Sequence, residues 1–344
     1  MTVPTGLPAG PRMRFSIDTW DPAYGSSLQF DEDLDDSSAR IDTDVEVPAA
    51  AWAPVAVPRG VEPPSRVLFV DGVRRIDARA WVDTGVPGHG GAPVDGGTDA
   101  GLALCASYAA GVVCCCPGQA HLVSARTQRG LFTTAEGADD VVTGAGTWTA
   151  RTVDARRVRP VGAALSAALQ NQLAELEVAV AVDARGTTDH PPVGDDLLVV
   201  DGPLRGRTHL PRTLGMIKTH RTAYLTGRQQ AVVVRLAPGE RTPVFQMGTS
   251  WERRTWYLRL PGPVASPWAG VVRVECSADA PVDEAVRLAG LSQAVLGRYA
   301  STAYKDPRAP QNLYPISGLE RELRRRLGDA RVLERLLRRA AAAG

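Results

Sequence analysis

Apolar and polar residues alternate along this chain in blocks of different period. Residues 1–64 show no sustained period, are rich in Pro, Ala and Asp, and hold the acidic cluster Asp31, Glu32, Asp33, Asp35 and Asp36; this predicts an irregular or extended segment that can include short strands. At Arg66 the character changes, and RVLFVDGVRRIDARAWV reads as an apolar strand, a turn and a second strand-like stretch. GLALCASYAAGVVCCC at 101–116 and residues 120–125 read as further strands, separated from the first by a Gly-rich loop at 85–99. Residues 161–182 follow the helical period, with Leu165, Leu169, Leu173, Leu176 and Val180 in one stripe. After a loop at 184–196, DLLVVDGPL is a continuous apolar run, the form of a strand buried on both faces. TLGMIKTHRTAYL reads as a strand and the entry to a helix, and QAVVVRL, PVFQMG, TWYLRLPG and GVVRVECS as additional strands. Helices are expected at 283–299 and 316–340, with the Pro-rich loop KDPRAPQNLYP between them. The resulting division is an N-terminal segment, 1–64, and one α/β domain, 65–340.

Composition narrows the class without naming the chemistry. The 344 residues are 44% hydrophobic and 22% charged, ordinary for a globular chain that buries one large core. No run of about 18 apolar residues occurs, and the first residues lack an apolar core followed by a cleavage site, so a cytoplasmic protein with no membrane span is expected. Of the five cysteines, three are consecutive at Cys114, Cys115 and Cys116. Neighbouring strand side chains point to opposite faces, so these three do not converge on one ion and read as small buried hydrophobes in a reducing compartment. The net charge of +1 is unevenly spread: residues 1–50 carry ten Asp/Glu against three Arg, and 305–339 carry ten Lys/Arg against five Asp/Glu. A basic surface for phosphates at one end is the expectation. The patterns GxxxxGK[ST], HExxH and GxSxG are absent, which removes support for a P-loop ATPase, a zinc protease or a serine hydrolase.

Two segments share one form, an apolar strand running into Asp-Gly: LFVDG at 68–72 and LLVVDG at 197–202. A carboxylate at the end of a buried strand is costly unless its charge is compensated, and a divalent cation does so directly. Asp71 and Asp201 are therefore candidate metal ligands. A third carboxylate is expected from the intervening helix, where Glu175 and Glu177 compete. At 100° per residue, Glu177 lies about 80° from the centre of the apolar stripe and Glu175 about 120°, so Glu177 is nearer the sheet-facing edge.

Asp71-Gly72, a helix with Glu177, Asp201-Gly202-Pro203-Leu204, Gly215-Met216-Ile217-Lys218-Thr219, and Tyr314-Pro315 before a helix: this series resembles the NurA nuclease family over about residues 66–330. The resemblance implies a ribonuclease-H-like mixed sheet flanked by helices, manganese-dependent DNA cleavage, a homodimer, and partnership with a HerA-type hexameric translocase in end resection. Position by position, Asp71, Glu177 (or Glu175) and Asp201 match the family carboxylates, and Tyr314 its Tyr-Pro tyrosine. The sequence departs from the family in the last helix, where a histidine is expected; no His follows His220, and Glu320 and Glu322 stand in that region. Glu320 is taken to replace it.

On this reading two cations, Mn2+ or Mg2+, held about 3.5–4 Å apart, serve in-line attack on a phosphodiester, and oxygen-rich ligation suits both metals. Lys218 is placed to neutralise the scissile phosphate. Arg74, Arg75, Lys305 and Arg308 are candidate DNA contacts to the backbone, and the apolar strands at 231–275 are candidates for part of a dimer interface. The alternative is a catalytically silent DNA-binding scaffold of a translocase complex, which the missing histidine favours.

Overall fold

A computed structural model describes residues 39–83, 101–154, 160–186, 195–206, 210–220, 222–264 and 266–343. The Gly-rich loop at 85–99, the acidic cluster at 31–36 and most of the loop at 184–196 lie outside the described residues. In chain order the elements are β1 (Arg40–Asp42), β2 (Arg66–Val82), β3 (Gly101–Cys116), β4 (Gln119–Thr133), β5 (Val141–Thr143), β6 (Gly146–Thr152), α1 (Val161–Gly186), β7 (Asp196–Asp201) and β8 (Thr213–Ile217). They continue with α2 (Gly227–Arg235), β9 (Phe245–Gly248), β10 (Glu252–Arg259), β11 (Val271–Ser277), α3 (Val282–Tyr299), α4 (Tyr314–Arg326) and α5 (Ala330–Ala341).

The eleven strands among the described residues form one mixed sheet in the order β1-β9-β10-β11-β8-β7-β2-β3-β4-β6-β5. β2, β3 and β4 are an antiparallel meander. After α1 the chain returns on the far side of β2, where β7 runs parallel to β2 and β8 parallel to β7. The period of two in β2 supplies both layers. Leu68 and Val70 pack with Leu165, Leu169, Leu173, Leu176 and Val180 of α1, while Val67 and Phe69 face the opposite core with Leu288, Val295 and Leu296 of α3. α4 covers that second face beside Val73 and Ala109 through Leu319 and Leu323. No helix among the described residues is long and apolar enough to cross a membrane.

Three elements differ from the sequence expectation. β2 does not turn at Asp71-Gly72: pairing with β3 runs on through Asp71↔Gly111 and Gly72↔Ala110. Only the parallel ladder stops there, its last pair being Val70↔Val200, so Asp-Gly marks the end of β7 against β2 rather than the end of β2 itself. QAVVVRL is helical, because Val232 and Val233 dock against Trp52, Phe245 and Met247 and this packing overrides the strand preference of valine. The helix expected at 316–340 breaks at Gly328, where φ is +83°, and Asp329 caps α5 by accepting from the Val332 N–H at 2.9 Å. Within residues 40–55 a short strand, as allowed for this segment, joins the sheet: β1 pairs with β9, Trp52 is buried, and Val55 bridges Arg241. β9, β10 and β11 are each paired on both sides.

Candidate metal centre

The end of the β2–β7 parallel ladder places two carboxylates side by side. Val70 pairs with Val200, so the next residues, Asp71 and Asp201, are neighbours. By strand alternation both face the α3/α4 side, continuing the series Val67, Phe69 and Leu197, Val199. α4 brings the third. Its Ile316, Leu319 and Leu323 are buried, and Glu320, one turn after Ile316, is directed at the strand ends. One carboxylate oxygen from each of Asp71, Asp201 and Glu320 lies within 4.8 Å of the others.

The three carboxylates differ in what balances them. Asp201 Oδ2 accepts from Lys218 Nζ at 2.6 Å. Lys218 follows β8, whose Met216 is paired with Asp201, and two residues on it returns to the same face. Lys218 also donates to Asn312 Oδ1 at 2.9 Å, and Asn312 Nδ2 donates to Asp306 Oδ2 at 2.7 Å. Glu320 is held in a fork by Arg308, at 3.1 and 2.7 Å. Asp71 has no such partner. Its Oδ1 accepts the Gly72 N–H at 2.7 Å, while its Oδ2 is buried with no hydrogen-bond partner. Burial, then the negative charge of Asp201, pushes the Asp71 carboxyl well above the usual range, with Lys218 pulling the other way. An unpaired buried oxygen amid converging carboxylates fits a hard divalent cation, which removes the cost of holding the group charged.

The helix glutamate is not part of this trio. Glu177 is buried on α1 as its position on the stripe requires, but α1 covers the other face of the sheet. A Cβ placed on Gly72 would lie 2.5 Å from Glu177 Oε1; the carboxylate therefore reaches the bare strand from the α1 side while Asp71 points away. Glu175 is exposed and accepts from Gln172 at 2.9 Å. Sequence periodicity put Glu177 against the sheet but did not say which face Asp71 occupies.

The candidate DNA contacts divide. Arg75 is engaged in structure: it bonds Asp77 at 3.0 Å and the carbonyl of Gly328 at 2.8 Å, closing the C-terminal end of α4. Arg308 is committed to Glu320 and is not an open phosphate contact. Arg74 and Lys305 are exposed. The Lys305 ammonium sits 5.4 Å over the Tyr304 ring and 5.2 Å over that of Tyr314, and Tyr304 is 81% exposed. Tyr314 opens α4 and shares a 2.8 Å hydrogen bond with Thr302.

Asn312 and Asp306 were not foreseen. Both are buried polar residues in an irregular loop, where no hydrophobic period marks a facing side; only the polar pair Gln311-Asn312 just ahead of Leu-Tyr-Pro hinted at a buried network.

No protein-family model matches the chain, and no curated protein matches it. Among solved structures it is similar to the NurA nuclease from Sulfolobus solfataricus, with 11% identity, 80% of this chain and 84% of that chain covered, and a TM-score of 0.44. A likeness of this degree says nothing of activity, and the functional reading rests on the residues themselves.

Proposed function

We propose that this chain is a divalent-metal-dependent nuclease acting on DNA. The observation that carries the proposal is the convergence of Asp71, Asp201 and Glu320, with Asp71 Oδ2 buried and unpaired. These three would hold the cation, Mn2+ or Mg2+ by the hardness of the oxygen ligands. Bound there, it would supply a Lewis acid for phosphodiester hydrolysis.

The surrounding residues position and neutralise. Arg308 fixes both oxygens of Glu320, and the chain Asp306–Asn312–Lys218 fixes Asp201. An ammonium has three donors; Lys218 uses one on Asp201 and one on Asn312, which leaves one for a phosphate oxygen. Lys305, between the rings of Tyr304 and Tyr314, offers a cation beside the exposed Tyr304 ring to a nucleic-acid strand, and Arg74 adds an exposed positive charge. The strand order β4-β3-β2-β7-β8, with a meander followed by two strands parallel to β2, supports reading the core as ribonuclease-H-like. The sequence resemblance extends the proposal to a homodimer and to work with a HerA-type translocase at DNA ends, for which we propose a cytoplasmic location.

A second reading is a silent DNA-binding scaffold. It is favoured by Lys218 and Arg308, which already neutralise two of the three carboxylates. Incubation of the purified protein with end-labelled single- and double-stranded DNA, with Mn2+, with Mg2+ and with chelator, separates the two. Metal-dependent cleavage supports the enzyme; DNA retained without cleavage under every metal condition supports the scaffold.

A further inference from the structure

The hairpin between β3 and β4 brings a second set of ligand atoms together, apart from the carboxylates. Its loop is only Pro117-Gly118, between the paired residues Cys116 and Gln119. Gly118 adopts φ +83°, as a tight turn after proline requires. That register sets His121 directly opposite Cys114, and side chains of opposed residues share a face. Cys114 and Cys116 share it too, being two apart on one strand, whereas Cys115 points to the other side. The three consecutive cysteines do not converge, as expected, because Cys115 faces the opposite core. The outer pair gains its third member from the neighbouring strand.

The Sγ atoms of Cys114 and Cys116 are 2.8 Å apart, and a ligand atom of His121 lies within 4.8 Å of both. Cys114 is buried, while Cys116 and His121 are half-buried at the hairpin end, so an ion has an approach from solvent. The three ligands lie on the α1 face, with Cys114 and Cys116 packed into the apolar cluster under that helix; Asp71 lies on the other face.

We propose that Cys114, Cys116 and His121 form a binding site for a soft divalent metal ion, zinc in its resting form, with water in the fourth position. Two sulfurs and one imidazole suit zinc, and the open fourth position leaves the ion reactive or exchangeable rather than sealed. Zn–S bonds of about 2.3 Å in tetrahedral geometry set the sulfurs about 3.8 Å apart, so a modest rotation about the Cys116 side chain admits the ion. A zinc-bound cysteine is a thiolate, so zinc uptake exchanges Zn2+ and two thiols for a neutral bis-thiolate and two protons in solution.

The test is a titration of the full chain with Zn2+ and with Co2+ as its spectroscopic substitute. It is made in an Asp71→Asn/Asp201→Asn background, so that the carboxylate centre does not contribute. Expected are one equivalent bound, about two protons released, and thiolate-to-cobalt absorption with tetrahedral ligand-field bands. Cys116→Ser and His121→Gln, both half-buried and shown folded by circular dichroism, should each weaken binding about 100-fold or more, while Cys115→Ser keeps it. Absence of thiolate absorption, its survival in both Cys116→Ser and His121→Gln, or its loss in Cys115→Ser would overturn the proposal. None of these results depends on whether the chain cuts DNA.

Discussion

At the scale of single residues, Asp71 differs from its two companions in having no cationic side chain hydrogen-bonded to it. A buried acid whose carboxyl is raised binds its proton more tightly folded than unfolded, so metal-free stability falls as pH rises above the ordinary value of 3.8 and through the raised one. Asp71→Asn removes that penalty. The metal-free variant should be more stable than the parent at pH 7 by on the order of 1 kcal/mol, while losing the stabilisation that Mn2+ confers; paired melting curves with and without Mn2+ check both. A variant less stable without metal and equally stabilised by it would contradict the site. Glu177 and Glu320 give a second residue-scale contrast. Because Glu177 reaches Gly72 from the α1 face, Glu177→Gln should leave Mn2+ affinity within about threefold of the parent, and Glu320→Ala should weaken it by about 100-fold. Calorimetric titration decides, and the reverse order would restore the helix glutamate as a ligand.

At the scale of elements, the candidate site depends on how closely β8 lies against the turn after β7. A Cβ on Gly215 would meet the Gly202 backbone carbonyl oxygen at 2.8 Å and Glu275 Cγ and Leu204 Cγ at 3.0 Å. Backbone cannot yield as a side-chain end can, so Gly215→Ala should cost about 1–3 kcal/mol and displace Lys218 from Asp201. Chemical denaturation reads the first effect; an unchanged midpoint would show that the strand has room. The strands carrying Asp71 and Asp201 were legible because both are apolar runs broken by one acid. The convergence of Glu320 was legible only through its place after Tyr-Pro. The face of Glu177 was not, since helical period fixes which side of α1 meets the sheet, and strand period fixes that Asp71 alternates with Val70, yet neither says which strand face α1 covers. QAVVVRL misled for a related reason: three valines satisfy a strand pattern locally, and only the pocket around Trp52 and Phe245 selects the helix.

For the molecule as a whole, acid sensitivity is written into a group far from the carboxylates in role. His220 is buried against Tyr257 and Trp268, and its Nε2–H donates to the Val271 carbonyl at 3.1 Å. Burial lowers it from 6.5 to about 4. The unfolded chain therefore binds a proton that the folded chain refuses, so stability is full above pH 6.5 and drains as pH falls toward about 4, by about 3 kcal/mol. His220→Phe should flatten that part of the stability–pH curve, as urea midpoints between pH 4 and 7 would show; an unchanged slope would mean that other groups carry it. The measurement closest to the central claim is cleavage of end-labelled DNA in Mn2+ by the parent and by folded Asp201→Asn, side by side. The parent should degrade the DNA, chelator should stop it, and Asp201→Asn should cut at least about 100-fold more slowly. Equal rates in the two proteins, or intact DNA with the parent in both Mn2+ and Mg2+, would contradict a metal-dependent nuclease centred on Asp71, Asp201 and Glu320.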